Sequence, residues 1–139
     1  MSSSEIAEAT AASSSVLDAS ALLALALQEP GAELVSAALD QGAVISSVNL
    51  TEVVARLVRE GWSDAAIWTR LGALSFQIED FRADVAWRAG LLYRLTSPFG
   101  LSLGDRACLA LALELGKPAL TAERSWARLD LGVEVVVCR

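Results

Sequence analysis

Residues 15–27 read Ser15-Val-Leu-Asp-Ala-Ser20-Ala-Leu-Leu-Ala-Leu-Ala-Leu27. Ser15 to Leu17 is a short apolar strand pattern that ends on the carboxylate of Asp18, and a helix-like run follows at once. A strand feeding straight into a helix opens a βαβ unit, and in an open parallel sheet ligands collect at the carboxyl ends of strands. Asp18 stands at such an end. Asp and Ser also cap helices routinely, so capping alone would account for Asp18 or Ser20. The balance shifts because three more carboxylates recur at comparable junctions further along.

The chain has 139 residues, enough for one domain that buries most of its apolar surface without staples. That domain is expected over residues 15–139. Residues 1–14, rich in Ser, Ala and Thr, read as a flexible extension. The hydrophobic fraction of 54% comes mainly from Ala, Leu and Val, which suits helices packed closely on a buried sheet. The most apolar stretch, Ala19 to Leu27, is far shorter than the roughly 18 to 20 residues a membrane span requires. With no basic-then-apolar leader at the amino terminus, a cytoplasmic location is expected. Cys108 and Cys138 lack C-x-x-C spacing and read as reduced, buried thiols.

Histidine is absent. That removes Ser-His-Asp and Cys-His nucleophilic catalysis and every His-containing zinc site. Any catalysis falls to carboxylates, with a hard metal ion. The net charge of −6 argues against nucleic acid at first sight, but acids gathered around cations would account for part of it. Of the 11 basic residues only Lys117 is a lysine, so phosphate contacts would be made by arginine forks.

Taken in order, the pattern predicts strands near 15–17, 43–48, 75–78, 119–122 and 133–137. Helices are predicted over 19–27, 31–41, 49–60, 63–74, 81–95 and 101–115, with Pro30, Gly31, Gly42 and Gly116 as punctuation. Asn49 and Glu52 have the spacing of a capping box, as have Ser102 and Asp105. Glu79 or Asp80 is placed to introduce the helix of 81–95, whose stripe of Val85, Ala89, Leu92 and Leu95 should face inward. Alternating strands and helices point to a three-layer α/β/α sandwich with a mostly parallel sheet.

Four carboxylates then occupy equivalent places: Asp18 after strand one, Glu52 in the first turn after strand two, Asp105 in the first turn of the last long helix, and Glu123 after strand four. Such junctions share one edge of a parallel sheet. Oxygen ligands alone select Mg²⁺ or Mn²⁺ over zinc. A carboxylate-bound pair of such ions suits phosphodiester hydrolysis.

The motifs Leu17-Asp-Ala-Ser20, Asn49-Leu-Thr-Glu52, Leu101-Ser-Leu-Gly-Asp105 and Leu120-Thr-Ala-Glu123 resemble the PIN-domain nucleases, and within them the VapC-type toxins of bacterial toxin–antitoxin pairs. The resemblance runs from about Ser15 to Val137. It implies a five-stranded parallel sheet in the order 3-2-1-4-5 and a Mg²⁺- or Mn²⁺-dependent endoribonuclease acting on tRNA or ribosomal RNA. The catalytic, metal-binding acids would be Asp18, Glu52, Asp105 and Glu123, the last standing where the family usually has Asp. Ser20 and Thr121 match small hydroxyl residues near the family's metal. A cognate antitoxin and a homodimer are further implied, with a basic antitoxin tail entering the acidic cleft.

A haloacid-dehalogenase-like phosphatase would need a second Asp at the place of Ser20, and a receiver domain would need an acidic pair that is missing. The alternative that stays open is a PIN fold that binds RNA or a partner with weak or no cleavage. Of the tryptophans, Trp62 and Trp68 are expected to line a groove for an antitoxin or a second subunit, while tryptophans on helices more commonly serve the core.

Overall fold

The computed structural model describes residues 14–139; the expected extension therefore lies, except for Ser14, outside the described residues. Ser14 itself donates its hydroxyl to the Gly42 carbonyl at 2.8 Å. The chain runs β1 (Val16–Leu17), α1 (Ala19–Ala26), α2 (Ala32–Asp40), β2 (Ala43–Ser46), α3 (Ser47–Arg59), α4 (Asp64–Gly72), β3 (Phe76–Glu79), α5 (Ala83–Leu91), α6 (Tyr93–Thr96) and α7 (Leu103–Leu115). It closes with β4 (Ala119–Thr121) and β5 (Val135–Val137). The five strands form one sheet in the order β3-β2-β1-β4-β5, and every neighbouring pair is parallel. This is the α/β/α sandwich with the strand order that the sequence predicts.

β1 holds the centre although it has two residues. Val16 aligns with Val44 and Ala119, and Leu17 with Ile45 and Leu120. Because side chains alternate along a strand, each register row sends its residues to one side of the sheet. Leu17, Ile45 and Leu120 join the core beneath α1 to α4, whereas Val16, Val44 and Ala119 join the core beneath α5 and α7. Both layers are therefore dry. α7 is buried almost throughout from Ala107 to Ala112, which accounts for its Ala-rich sequence: small side chains let a helix lie close on the sheet.

Helix boundaries differ from the sequence reading at three places. α3 starts at Ser47, not Asn49, because the Ser46 hydroxyl at the end of β2 already accepts from Val48 N and takes the cap; Asn49 is left inside the first turn, buried to 1%. The helix expected over 81–95 breaks after Leu91 into α5 and the four-residue α6. Val85, Ala89 and Leu92 are buried as the stripe requires, but the break rotates Leu95 outward, where it is 57% exposed. Arg82 occupies the N-cap of α5 without a side-chain bond, so neither Glu79 nor Asp80 caps it; Glu79 is instead the last residue of β3. The other box is present, with Ser102 and Asp105 each accepting from the other's backbone N–H. Cys108 and Cys138 are free and buried. Among the described residues no helix is long and apolar enough to cross a membrane.

Two glycines test the packing from opposite directions. Gly31 opens α2 with φ of 97°, and a Cβ there would stand 2.8 Å from the Cys138 carbonyl oxygen. Gly90 lies in α5 with nothing within 4 Å of its would-be Cβ. Gly31→Ala should lose at least about 1–2 kcal/mol in urea unfolding from backbone strain before the overlap is added. Gly90→Ala should gain up to about 1 kcal/mol.

Candidate functional site

Asp18 leaves β1 and caps α1, where its Oδ1 accepts from Ala21 N at 2.8 Å. The Ser20 hydroxyl donates to both carboxylate oxygens, at 2.8 and 2.9 Å, and the Thr121 hydroxyl donates to Oδ2 at 2.6 Å from the end of β4. Those hydroxyls are fixed in turn, since Ser20 Oγ accepts from Ala122 N and Thr121 Oγ1 from Glu123 N. Capping and site placement are thus one geometry, not rivals. Asp18 is 2% exposed, and burial pushes its carboxyl from 3.8 up to about 6 against the pull of the three donors, with the charge of Asp105 adding to the rise.

Glu52 comes from the second turn of α3. Asn49, one turn before it, donates its amide both to Glu52 Oε1 and to the carbonyl of Gly104 in α7, each at 2.9 Å. α3 is so fastened to α7 at the level of the carboxylates. Gly104 is buried and carries no side chain for a physical reason: a Cβ there would overlap the Glu52 carboxylate. Burial raises the Glu52 carboxyl, the Asn49 amide opposes it, and Asp105 raises it further. Asp105, next to Gly104, uses Oδ2 to accept from Ser102 N at 2.9 Å and feels both other acids. The charge of Asp105 on α7 therefore reaches both Asp18 at the end of β1 and Glu52 on α3.

Glu123 follows β4 and is exposed. It borders the same cleft of about 230 Å³ as Asp18, Glu52 and Asp105, together with Arg56 and Arg59. The donor set is all oxygen, which fits a hard cation, and one buried acceptor, Asn49 Oδ1, has no hydrogen-bond partner among the described residues. Among the described residues, however, no three Asp, Glu or Cys side chains close into a ready metal shell. The four acids border one cleft, and like charges so placed repel one another.

Residues 15–131 match the family model of the PIN domain. This chain belongs to the PIN-domain family. The PIN fold is also that of a toxin–antitoxin complex from Klebsiella pneumoniae, with a TM-score of 0.67 at 22% identity over 90% of this chain and 98% of that one. A Mycobacterium tuberculosis VapC toxin described as cleaving the sarcin–ricin loop superposes with a TM-score of 0.66 at 19% identity, over 86% and 98% of the two chains. The VapBC2 complex of Rickettsia felis, bound to a DNA fragment from its promoter, gives 0.65 at 17% identity, over 88% and 96%. No curated protein matches by sequence.

Within this PIN domain Asp18, Glu52, Asp105 and Glu123 line one cleft, and Ser20 and Thr121 both reach Asp18. Two residues escaped the sequence reading. Asn49 was assigned to a cap, and Gly104 carried no signal, because its close approach to Glu52 spans separate elements. Of the two groove tryptophans, Trp68 is 80% exposed and lines an apolar groove of about 560 Å³ with Leu50, Val54, Ile67, Phe76 and Ile78. Trp62 packs against the core instead.

Two measurements probe the site without substrate. Asp18 binds a proton more tightly in the folded than in the unfolded chain, so stability should fall as pH rises through about 4 to 6 and stay low above that. Metal-free protein should accordingly be more stable at pH 5 than at pH 7.5, by about 1–1.5 kcal/mol for a carboxyl moved from 3.8 to about 6, and Asp18→Asn should flatten the dependence. Gly104→Ala should fold, because the overlapping atoms are the mobile end of Glu52, while the side-chain amide resonance of Asn49 shifts as its bond to Glu52 breaks.

Proposed function

We propose that this PIN domain is a Mg²⁺- or Mn²⁺-dependent endoribonuclease and the toxin of a type II toxin–antitoxin pair, with tRNA or ribosomal RNA as substrate. One observation carries the reading: Asp18, Glu52 and Asp105, delivered by β1, α3 and α7, line one cleft at the carboxyl edge of the sheet with Glu123 beside them. A bound divalent ion supplies Lewis acidity and a nucleophilic water at neutral pH. The protein's part is to hold its acids still. Three donors lock Asp18, the Asn49 amide orients Glu52, and the capping box holds Asp105 by one oxygen while Oδ1 keeps no protein partner among the described residues. Glu123, exposed at the mouth, completes the negative wall.

The same wall attracts a cationic protein tail, and in the antitoxin complex an Arg or Lys of the partner would satisfy these carboxylates. The Trp68 groove offers that partner an apolar surface beside the cleft. Exposed Trp87, Leu91 and Tyr93 on α5 and α6 suit a homodimer contact. One observation favours the rival reading, a PIN-fold RNA- or partner-binding protein that does not cut: the acids do not close into a shell by themselves.

Substitution of Asp105 separates the readings. As a cap alone it contributes about 1 kcal/mol, and Asp105→Asn would lower stability slightly and do nothing else. As a metal ligand its loss removes charge from the site, so Asp105→Asn and Asp18→Asn should be folded, non-toxic on expression and slower at cutting RNA by orders of magnitude. Mn²⁺ should raise the melting temperature of the unaltered protein and leave that of Asp105→Asn nearly unchanged. Undiminished cleavage by purified Asp105→Asn would sink the assignment.

A further inference from the structure

α3 presents Glu52, Arg56 and Arg59 along one stripe. At 3.6 residues per turn the three fall within roughly 60° of arc, and the arginines stand about 6 and about 10 Å down the axis from Glu52. Both line the carboxylate cleft beside Ala19 and Leu23 of α1. In a chain with 11 basic residues and a net charge of −6, their position at the most acidic surface calls for a cause.

They are not counter-ions of the site. Among the described residues neither pairs with Asp18, Glu52, Asp105 or Glu123. Arg56 is bonded to Glu60 on its own helix at 2.8 Å, with both side chains 42% exposed, and an exposed pair of this kind holds weakly. Arg59 is exposed and makes neither ion pair nor hydrogen bond among the described residues. Two guanidinium groups are thus free to meet an anion along the cleft wall. A polyanionic strand approaching the acids is repelled by them, and a cation at the acids neutralises the reacting phosphate but not its neighbours.

Resting on the ribonuclease reading, we propose that Arg56 and Arg59 bind backbone phosphates that flank the scissile one, Arg56 giving up Glu60 to do so. Planar guanidinium forks suit phosphate oxygens. These residues set affinity for the strand and leave the chemical step to the acids. A contact of this kind is to the backbone, so it is indifferent to base sequence and sensitive to salt.

The test uses the full chain, in EDTA so that nothing is cut, with a fluorescein-labelled single-stranded oligoribonucleotide and bulk tRNA followed by anisotropy over a range of KCl. Arg56→Gln and Arg59→Gln should each weaken binding and flatten the plot of log K against log[KCl] by about 0.7 for the single strand, and the double variant by twice that. Arg56→Lys should keep the slope. With Mn²⁺ present the Gln variants should lose cleavage efficiency through KM while kcat holds, and circular dichroism should match the unaltered protein. Equal affinity and slope in the double variant, or no RNA binding by the unaltered chain at low salt, would overturn the proposal. Variants that keep RNA affinity but lose a protein partner would do the same, by giving the arginines to that interface. RNA binding with the expected slopes but no cleavage of any RNA would sink the nuclease reading and leave the arginine assignment standing. Cleavage unaffected in the double variant would do the reverse.

Discussion

The hydrogen bond from Thr121 to Asp18, at 2.6 Å, joins residues 103 positions apart in sequence, and the arrangement of the site follows from it. Burying a carboxylate is costly unless donors surround it, and here they come from β4 and from α1. Ser20, in the first turn of α1, touches both Asp18 and Thr121, so the carboxylate, the central strand and the strand beside it are set by one cluster. The cost is not fully offset, and the raised proton affinity of Asp18 is its residue. A site kept in this condition favours whatever neutralises it. A proton does so in mild acid; at neutral pH a divalent ion or a cationic side chain would do so.

Much of the architecture was legible because strand ends and helix starts carry short, local signals. Asp18 and Asp105 can be read twice over, as caps and as site acids, and the structure shows both capping their helices at the wall of one cleft. Asn49 was misread for an equally local reason: two serines precede it, and the earlier one takes the cap. Once α3 begins at Ser47, Asn49 turns inward and becomes the tie between α3 and α7. Leu95 was misplaced because a helix break changes the phase of everything after it, and nothing in the apolar period announces the break at Leu92. Gly104 belongs to a different class. Its reason for lacking a side chain lies on another element, and only tertiary placement reveals it. Arg56 and Arg59 likewise acquired meaning only when the phase of α3 put them on the stripe of Glu52.

The distribution of polarity around the domain divides its surface by task. The cleft is acidic with an arginine margin, the groove beside β3 is apolar with Trp68 on its wall, and α5 with α6 shows a second apolar face around Trp87. The face around Trp87 lies on elements that take no part in the cleft or the groove, so an occupant there need not displace an occupant of either. Where the Trp68 groove and the cleft share α3, a single partner laid along that helix could contact both.

The order in which the elements leave the ribosome has a consequence of its own. β1 emerges well before β4, the strand that pairs with it and furnishes Thr121, which lies 103 residues beyond Asp18. Until β4 is in place Val16 and Leu17 have neighbours on one side only, and contacts so distant in sequence form late in folding. An unfinished chain therefore carries the acids but not the setting that holds Asp18. For a protein whose activity would be directed at RNA, the machinery that translates it is spared the finished cleft until β4 has been made.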